Sequence, residues 1–138
     1  MILLDTNVLI YASDTSSPHC RWARKTIADA VAVEGAVINA ATLAELCVGD
    51  AEPNTVADRI RRWGVEALDF PAVAAEISAR AYLSYRQRRR RDSGKDSPTM
   101  PLPDFFIGAH AEVMGWTLAT ADADRYRTYF PKVKLKTP

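Results

Sequence analysis

A chain of 138 residues, 48% hydrophobic and 25% charged, is long enough to bury a core and too apolar to remain disordered. Its net charge of +1 decides nothing about a nucleic-acid partner, and no apolar run approaches membrane-spanning length. The two cysteines, Cys20 and Cys47, sit in apolar, helix-like settings without metal-type spacing, which excludes a disulfide framework and predicts reduced, buried thiols in a cytoplasmic protein.

Residues 1–4 form a continuous apolar run ended by Asp5, a short buried strand that is cut off too early for a signal peptide. Residues 8–12 predict one or two helical turns. Pro18 opens a helix to about Val33, stopped by Gly35, and residues 36–38 predict a second strand. Residues 40–48 predict a helix closed by Gly49. Val56, Ile60 and Trp63 define one face of the next helix, ended by Gly64. Residues 65–70 are a weaker third strand, because Glu66 and Asp69 interrupt it. Pro71 starts a long helix with Val73, Ile77, Ala81 and Tyr85 at four-residue steps. Residues 92–103, rich in Ser, Asp, Gly, Lys and Pro, predict a loop. Pro103 begins an almost wholly apolar helix to Met114. A strand at 116–120, a short helix at 123–129 and a last strand at 133–135 complete the chain. Short apolar strands alternating with helices predict one α/β domain over residues 1–138, with a parallel sheet covered on both faces.

Charge is unevenly spread. Residues 86–96 carry Arg86, Arg88, Arg89, Arg90, Arg91 and Lys95 against Asp92 and Asp96, a net +4 that leaves the rest of the chain at −3. This stretch is a candidate RNA-backbone contact, since arginine–phosphate contacts are strong, salt-dependent and blind to sequence. A solvated helix end, where positive charge suits the dipole, explains it equally well. His110, on the apolar helix, is expected in the core or an interface, and Trp22, Trp63 and Trp116 in the core. Tyr82 and Tyr85 are expected to pack, and His19 to lie at the surface.

Four acids stand where strands meet helices. Ligands bind outside the carboxyl ends of strands in an open parallel sheet. Asp5 follows the first strand directly, and Asp122 follows the 116–120 strand by two residues; Glu45 and Asp104 lie on helices that begin on the same side. Each has a local explanation as well. Asp5 and Asp122 suit helix caps, residues 42–45 match a capping box, and Asp104 suits a helix N-terminus. Against these stand the apolar surroundings of Glu45 and Asp104, with no Lys or Arg within three residues of either. Burying carboxylates together without a counter-charge is costly. A divalent cation such as Mg²⁺ or Mn²⁺, which prefers oxygen ligands, is the alternative offset, and no Cys/His set suggests zinc.

The same residues carry a family resemblance. The segment Met1-Ile2-Leu3-Leu4-Asp5-Thr6-Asn7-Val8-Leu9-Ile10 resembles the opening motif of PIN domains, and Ala41-Thr42-Leu43-Ala44-Glu45-Leu46 their glutamate motif. Residues 101–111, PLPDFFIGAHA, resemble the third motif of VapC-type toxins, and Leu118-Ala119-Thr120-Ala121-Asp122 the fourth. The motifs occur in the family's order across nearly the whole chain. The resemblance implies a short five-stranded parallel sheet of order 3-2-1-4-5 between helices. It implies a metal-dependent endoribonuclease, the toxin of a VapBC-type pair, with Asp5, Glu45, Asp104 and Asp122 as the acidic metal site for Mg²⁺ or Mn²⁺. Thr120 and Asn7 would be polar neighbours, and Asp124 a further acid that capping explains equally well. It also implies a VapB-type antitoxin lying in a groove between helices, for which Val8, Tyr11 and Leu46 are candidates, and a homodimer.

The expected reaction is hydrolysis of an RNA phosphodiester by metal-activated water, with Asp5 the central ligand, Asp104 and Asp122 beside it, and Thr120 bonding a carboxylate or water. Glu45 is left as ligand, water-orienting group or general base. Three alternatives remain. One is a non-catalytic PIN module that binds RNA or protein. Another is a phosphatase with a nucleophilic aspartate, which would want an acid where Asn7 stands. The third is a DNA nuclease of the same metal chemistry.

Overall fold

A computed structural model describes residues 1–95, 97 and 100–138. Five strands form one parallel sheet in the order β3-β2-β1-β4-β5, as the resemblance implies: β1 (Ile2–Leu4), β2 (Ala36–Asn39), β3 (Val65–Leu68), β4 (Thr117–Ala119) and β5 (Leu135–Lys136). Among the described residues seven α-helices connect them: α1 (Thr6–Ser13), α2 (Cys20–Asp29), α3 (Ala40–Val48), α4 (Val56–Arg62), α5 (Ala75–Ser93), α6 (Pro103–Met114) and α7 (Asp124–Tyr129).

Alternation along β1 explains the layers. Ile2 and Leu4 point into one core with Val8, Leu9, Ile27 and Ile60, so α1, α2 and α4 cover that face. Leu3 points into the other with Tyr82, Phe105, Ile107 and Tyr126, so α5, α6 and α7 cover the opposite face. Gly108 lets α6 approach closely; a Cβ there would stand 2.4 Å from the Phe130 ring. Among the described residues no helix is long and apolar enough to cross a membrane.

Several boundaries differ from expectation. The helix begun near Pro18 widens into a π-helical turn at Ala30–Glu34, where Gly35 donates to the Ala30 carbonyl at 2.7 Å. A 3-10 turn at Ala72–Ala74 precedes α5, which then runs through Ser93 into the expected loop. Residues 96, 98 and 99 of that loop, and with them the Asp96 end of the basic stretch, lie outside the described residues. The last strand falls at Leu135–Lys136 rather than 133–135, because Val133 is buried in a turn, bonded to the Phe130 carbonyl. Cys20 is buried but Cys47 only partly, and both are free thiols.

Candidate functional site

The site grows from strand register. Leu4 of β1 pairs with Ala119 of β4, so Asp5 and Thr120 leave the sheet side by side. The chain reverses its direction of winding between these two strands, which makes their carboxyl ends the binding crevice of an open α/β sheet. Asp5 then caps α1. One carboxylate oxygen accepts from the Thr6 amide at 2.7 Å, and the other from the Thr120 hydroxyl at 2.7 Å and the Asn7 amide at 2.9 Å. Asn7 stitches the crevice further, donating to Thr120 Oγ1 at 3.2 Å and accepting from the Ala121 amide at 3.0 Å. Thr120 Oγ1 also accepts from the Asp122 amide at 3.0 Å, which fixes the turn after β4.

Asp5 is 4% exposed, and among the described residues no cation pairs with it. Burial dominates its ionisation and raises the pKa to about 6. The Asp104 charge adds to the rise, while the Thr120 and Thr6 hydrogen bonds oppose it. The Tyr126 hydroxyl, on a residue 1% exposed, faces the same carboxyl without a hydrogen bond of normal geometry. Burial, and then the charges of Asp5, Asp104 and Glu45, push the Tyr126 pKa far up. Tyr126 therefore looks onto three of the four acids.

Two of the other three acids have side-chain partners of their own. Glu45, half-buried on α3, accepts a hydrogen bond from the Thr6 hydroxyl. It closes no capping box: the α3 cap is Asn39, whose side chain accepts from the Thr42 amide at 3.0 Å. Asp104, in the first turn of α6 after Pro103, pairs with Arg125 of α7 at 2.5 Å. That pairing overturns the expectation, drawn from local sequence, that no basic side chain offsets it; the partner lies 21 positions on. Asp122 is exposed, caps nothing on α7, and its carboxylate joins no hydrogen bond or ion pair among the described residues. Asp124 points to solvent and pairs locally with Arg127 at 3.5 Å. Among the described residues no three His, Cys, Asp or Glu side chains already stand together as a metal nest. Like charges at short range repel, so Glu45 and Asp104 settle on separate donors while Asp122 faces solvent.

The basic stretch is not one strip. Helical spacing divides it: Arg88 and Arg91 line a hollow with Thr128 and Tyr129 of α7, while Arg86 and Arg90 line another with Leu83 and Lys95. Arg88 also borders the hollow that holds Asp122 and Arg125, and Arg89 donates to the Tyr85 hydroxyl at 3.1 Å. A groove of about 440 Å³ runs between α1, α3 and α4, lined by Leu9, Ile10, Leu46, Ile60 and Trp63, with Glu45 in its wall. Of the three residues expected there only Leu46 lines it; Val8 is fully buried, and Tyr11 packs on the core and against His19, which is therefore half-buried rather than at the surface. Trp63 lies on this groove rather than in the core, whereas Trp22 and Trp116 pack as expected. His110 is a core residue beside Trp116, its pKa lowered by burial, and Tyr82 and Tyr85 pack around Phe105.

Thr6, Arg125 and Tyr126 were not singled out by sequence. Thr6 lies inside the opening motif, next to Asp5. Arg125 and Tyr126 carried only the weak signal of standing within one helical turn of Asp122.

The PIN domain family model matches residues 2–131. Among curated proteins none matches the chain by sequence. Among solved structures, a chain of the VapBC2 complex of Rickettsia felis bound to a promoter DNA fragment is 19% identical, with TM-score 0.64 over 100% of this chain and 99% of that one. A chain of DNA-bound VapBC from Salmonella typhimurium is 20% identical, with TM-score 0.65 over 99% and 96%. Mycobacterium tuberculosis VapC20, described as a sarcin-ricin loop cleaving toxin, is 14% identical, with TM-score 0.59 over 97% and 99%. At such identities the likeness speaks for the fold.

Proposed function

The chain belongs to the PIN domain family, and from that premise we propose that it is a metal-dependent endoribonuclease, the toxin of a VapBC-type pair. One observation carries the reading: among the described residues Asp5 is a buried carboxylate at the β1–β4 crevice with no counter-charge, faced by a buried Tyr126 hydroxyl that makes no hydrogen bond of normal geometry. A protein core tolerates neither group without compensation. The candidate ligating groups are carboxylates, oxygen donors that suit Mg²⁺ or Mn²⁺. Asp5, Asp104, Asp122 and Glu45 would hold the ion. When bound, a divalent cation lowers the pKa of water and offsets charge on the attacked phosphate.

The chain's own residues supply the rest. Thr120, Asn7 and the Thr6 amide hold the Asp5 carboxyl in one orientation, so that it enters the reaction already placed. Glu45, tethered by Thr6, takes a water proton or orients the water. Arg88 and Arg91 hold the phosphate backbone along the hollow that leads from Asp122. The groove between α1, α3 and α4 takes an apolar segment of a VapB-type antitoxin, and Glu45 in its wall brings that segment to the acids. The VapBC complexes among the structural relatives support that partner; the toxin itself would be a homodimer, as the motif resemblance implies.

Purified Asp5→Asn and Asp104→Asn, each shown to fold, should lose RNA cleavage in Mn²⁺, and wild type should lose it in EDTA. Full cleavage in chelator, or in either variant, ends this mechanism. The spread of the acids favours one rival, a non-catalytic module. That reading predicts stabilisation by Mn²⁺ with no cleavage of any RNA.

A further inference from the structure

Among the described residues one cation, Arg125, pairs with the acidic set. Arg125 lies in the first turn of α7, and its Nη1 is 2.5 Å from Asp104 Oδ2. The two side chains are 33% and 30% exposed, too sheltered for solvent to screen the pair fully and too open for it to be locked. The guanidinium also has a second seat. It lies 5.5 Å from the centre of the Tyr85 ring and 5.9 Å from that of Phe105. Cation–π attraction holds it there without help from Asp104. From this seat Arg125 borders the hollow shared by Asp122, Thr128 and Arg88. Among the described residues one acceptor, Asp104, engages it, which leaves most of its five donors uncommitted there.

We propose that Arg125 has two tasks at the site: it is the counter-ion of Asp104 until a divalent cation claims that carboxylate, and it then grips a phosphate of the RNA from its seat on Tyr85 and Phe105. A guanidinium fork matches phosphate oxygens and loses little by leaving a single carboxylate contact. The inference rests on the nuclease reading. It gives Arg125 opposite effects on two ligands. While seated on Asp104 it competes with the cation, and once released it adds to RNA affinity. A residue that only packed α7 against α6 would not produce opposite signs.

The test uses the whole chain as wild type, Arg125→Gln and Arg125→Lys. Mn²⁺ binding is measured by calorimetry without RNA. Binding of a 2′-O-methyl RNA oligonucleotide, which resists cleavage, is measured by fluorescence anisotropy in Mn²⁺ over a salt series. Arg125→Gln should bind Mn²⁺ roughly three- to tenfold more tightly, the range expected for releasing a half-exposed ion pair. It should bind RNA more weakly, with a salt slope shallower by about 0.7, one single-strand phosphate contact. Arg125→Lys keeps the charge at Asp104 but loses the fork, so Mn²⁺ affinity should stay within about twofold while RNA binding weakens. Should the Gln variant fail to fold, the Lys variant carries the test. Wild type that binds no Mn²⁺ sinks the nuclease reading and this inference with it. Wild type that binds Mn²⁺ while Arg125→Gln leaves either affinity unchanged overturns this inference alone.

Discussion

The charge of Asp104 raises the cost of ionising Asp5, yet the protein treats the two carboxylates in opposite ways. Asp5 is fixed by three neutral donors in a buried corner and, among the described residues, receives no cation; its pKa climbs to about 6. Asp104 stands on a helix start, partly exposed, and takes the guanidinium of Arg125. Hydrogen bonds alone orient a carboxylate without cancelling its charge, while an ion pair cancels the charge at the expense of availability. The Asp5 corner is thus rigid and charge-hungry, and the Asp104 corner is satisfied and movable. A site that must capture a cation and then admit a polyanion has use for both.

The largest expected effect separates the placed acid from an unplaced one. Asp5→Asn should lower RNA cleavage by about a thousandfold, the loss of a central ligand, whereas Asp122→Asn, whose carboxylate no neighbour holds, should cost about tenfold. Equal losses would erase the distinction between rigid and mobile acids.

Next comes the cost of the Asp5 charge to stability. Its folded pKa lies above the unfolded value, so the folded chain holds that proton more tightly, and stability falls as pH rises from about 3.8 to about 6. The full penalty, about 3 kcal/mol, is present above that window. In EDTA, wild type should therefore lose about 2 kcal/mol of unfolding free energy relative to Asp5→Asn between pH 4 and pH 7. Parallel pH profiles in urea unfolding would mean that Asp5 has a counter-charge after all.

A smaller effect tests the Asp104 side. Gly108→Ala places a methyl 2.4 Å from the Phe130 ring, so α6 or Phe130 must shift. Overpacking of this kind costs about 1–3 kcal/mol. It should disturb the α6 acid while leaving the β1–β4 hydrogen bonds, and the pH dependence of Asp5, intact. Smallest is the division of the arginines. Arg88→Gln with Arg91→Gln should flatten the salt dependence of RNA binding by about 1.4 in slope, and Arg86→Gln with Arg90→Gln should leave it alone. The reverse result would move the RNA to the other face of α5.

Much of this was legible in the sequence because it is local or periodic. Apolar runs ended by Asp5 and followed by Thr120 marked the two strands that build the crevice, and the motif resemblance supplied the strand order that the sheet has. Partners of the acids were not legible. Arg125 reaches Asp104 across two helices, and Thr6 reaches Glu45 from 39 positions away. Such pairings depend on how α6 meets α7 and α1 meets α3, which no local window contains. The capping-box match at 42–45 misled for the same reason: Asn39, one residue before the helix, was free to cap it, and Glu45 was left to look toward α1. The arginine run looked continuous because a string hides the turn of a helix.

The uncompensated charge at Asp5 is most directly tested by Mn²⁺-dependent thermal unfolding of wild type and Asp5→Asn at pH 7.5, with no RNA present. Ligand binding to the folded state alone raises the transition in proportion to the logarithm of concentration. The wild-type midpoint should climb steadily with Mn²⁺ and the variant's should stay flat. A flat wild-type curve, or two curves that climb together, would contradict a cation site built on Asp5.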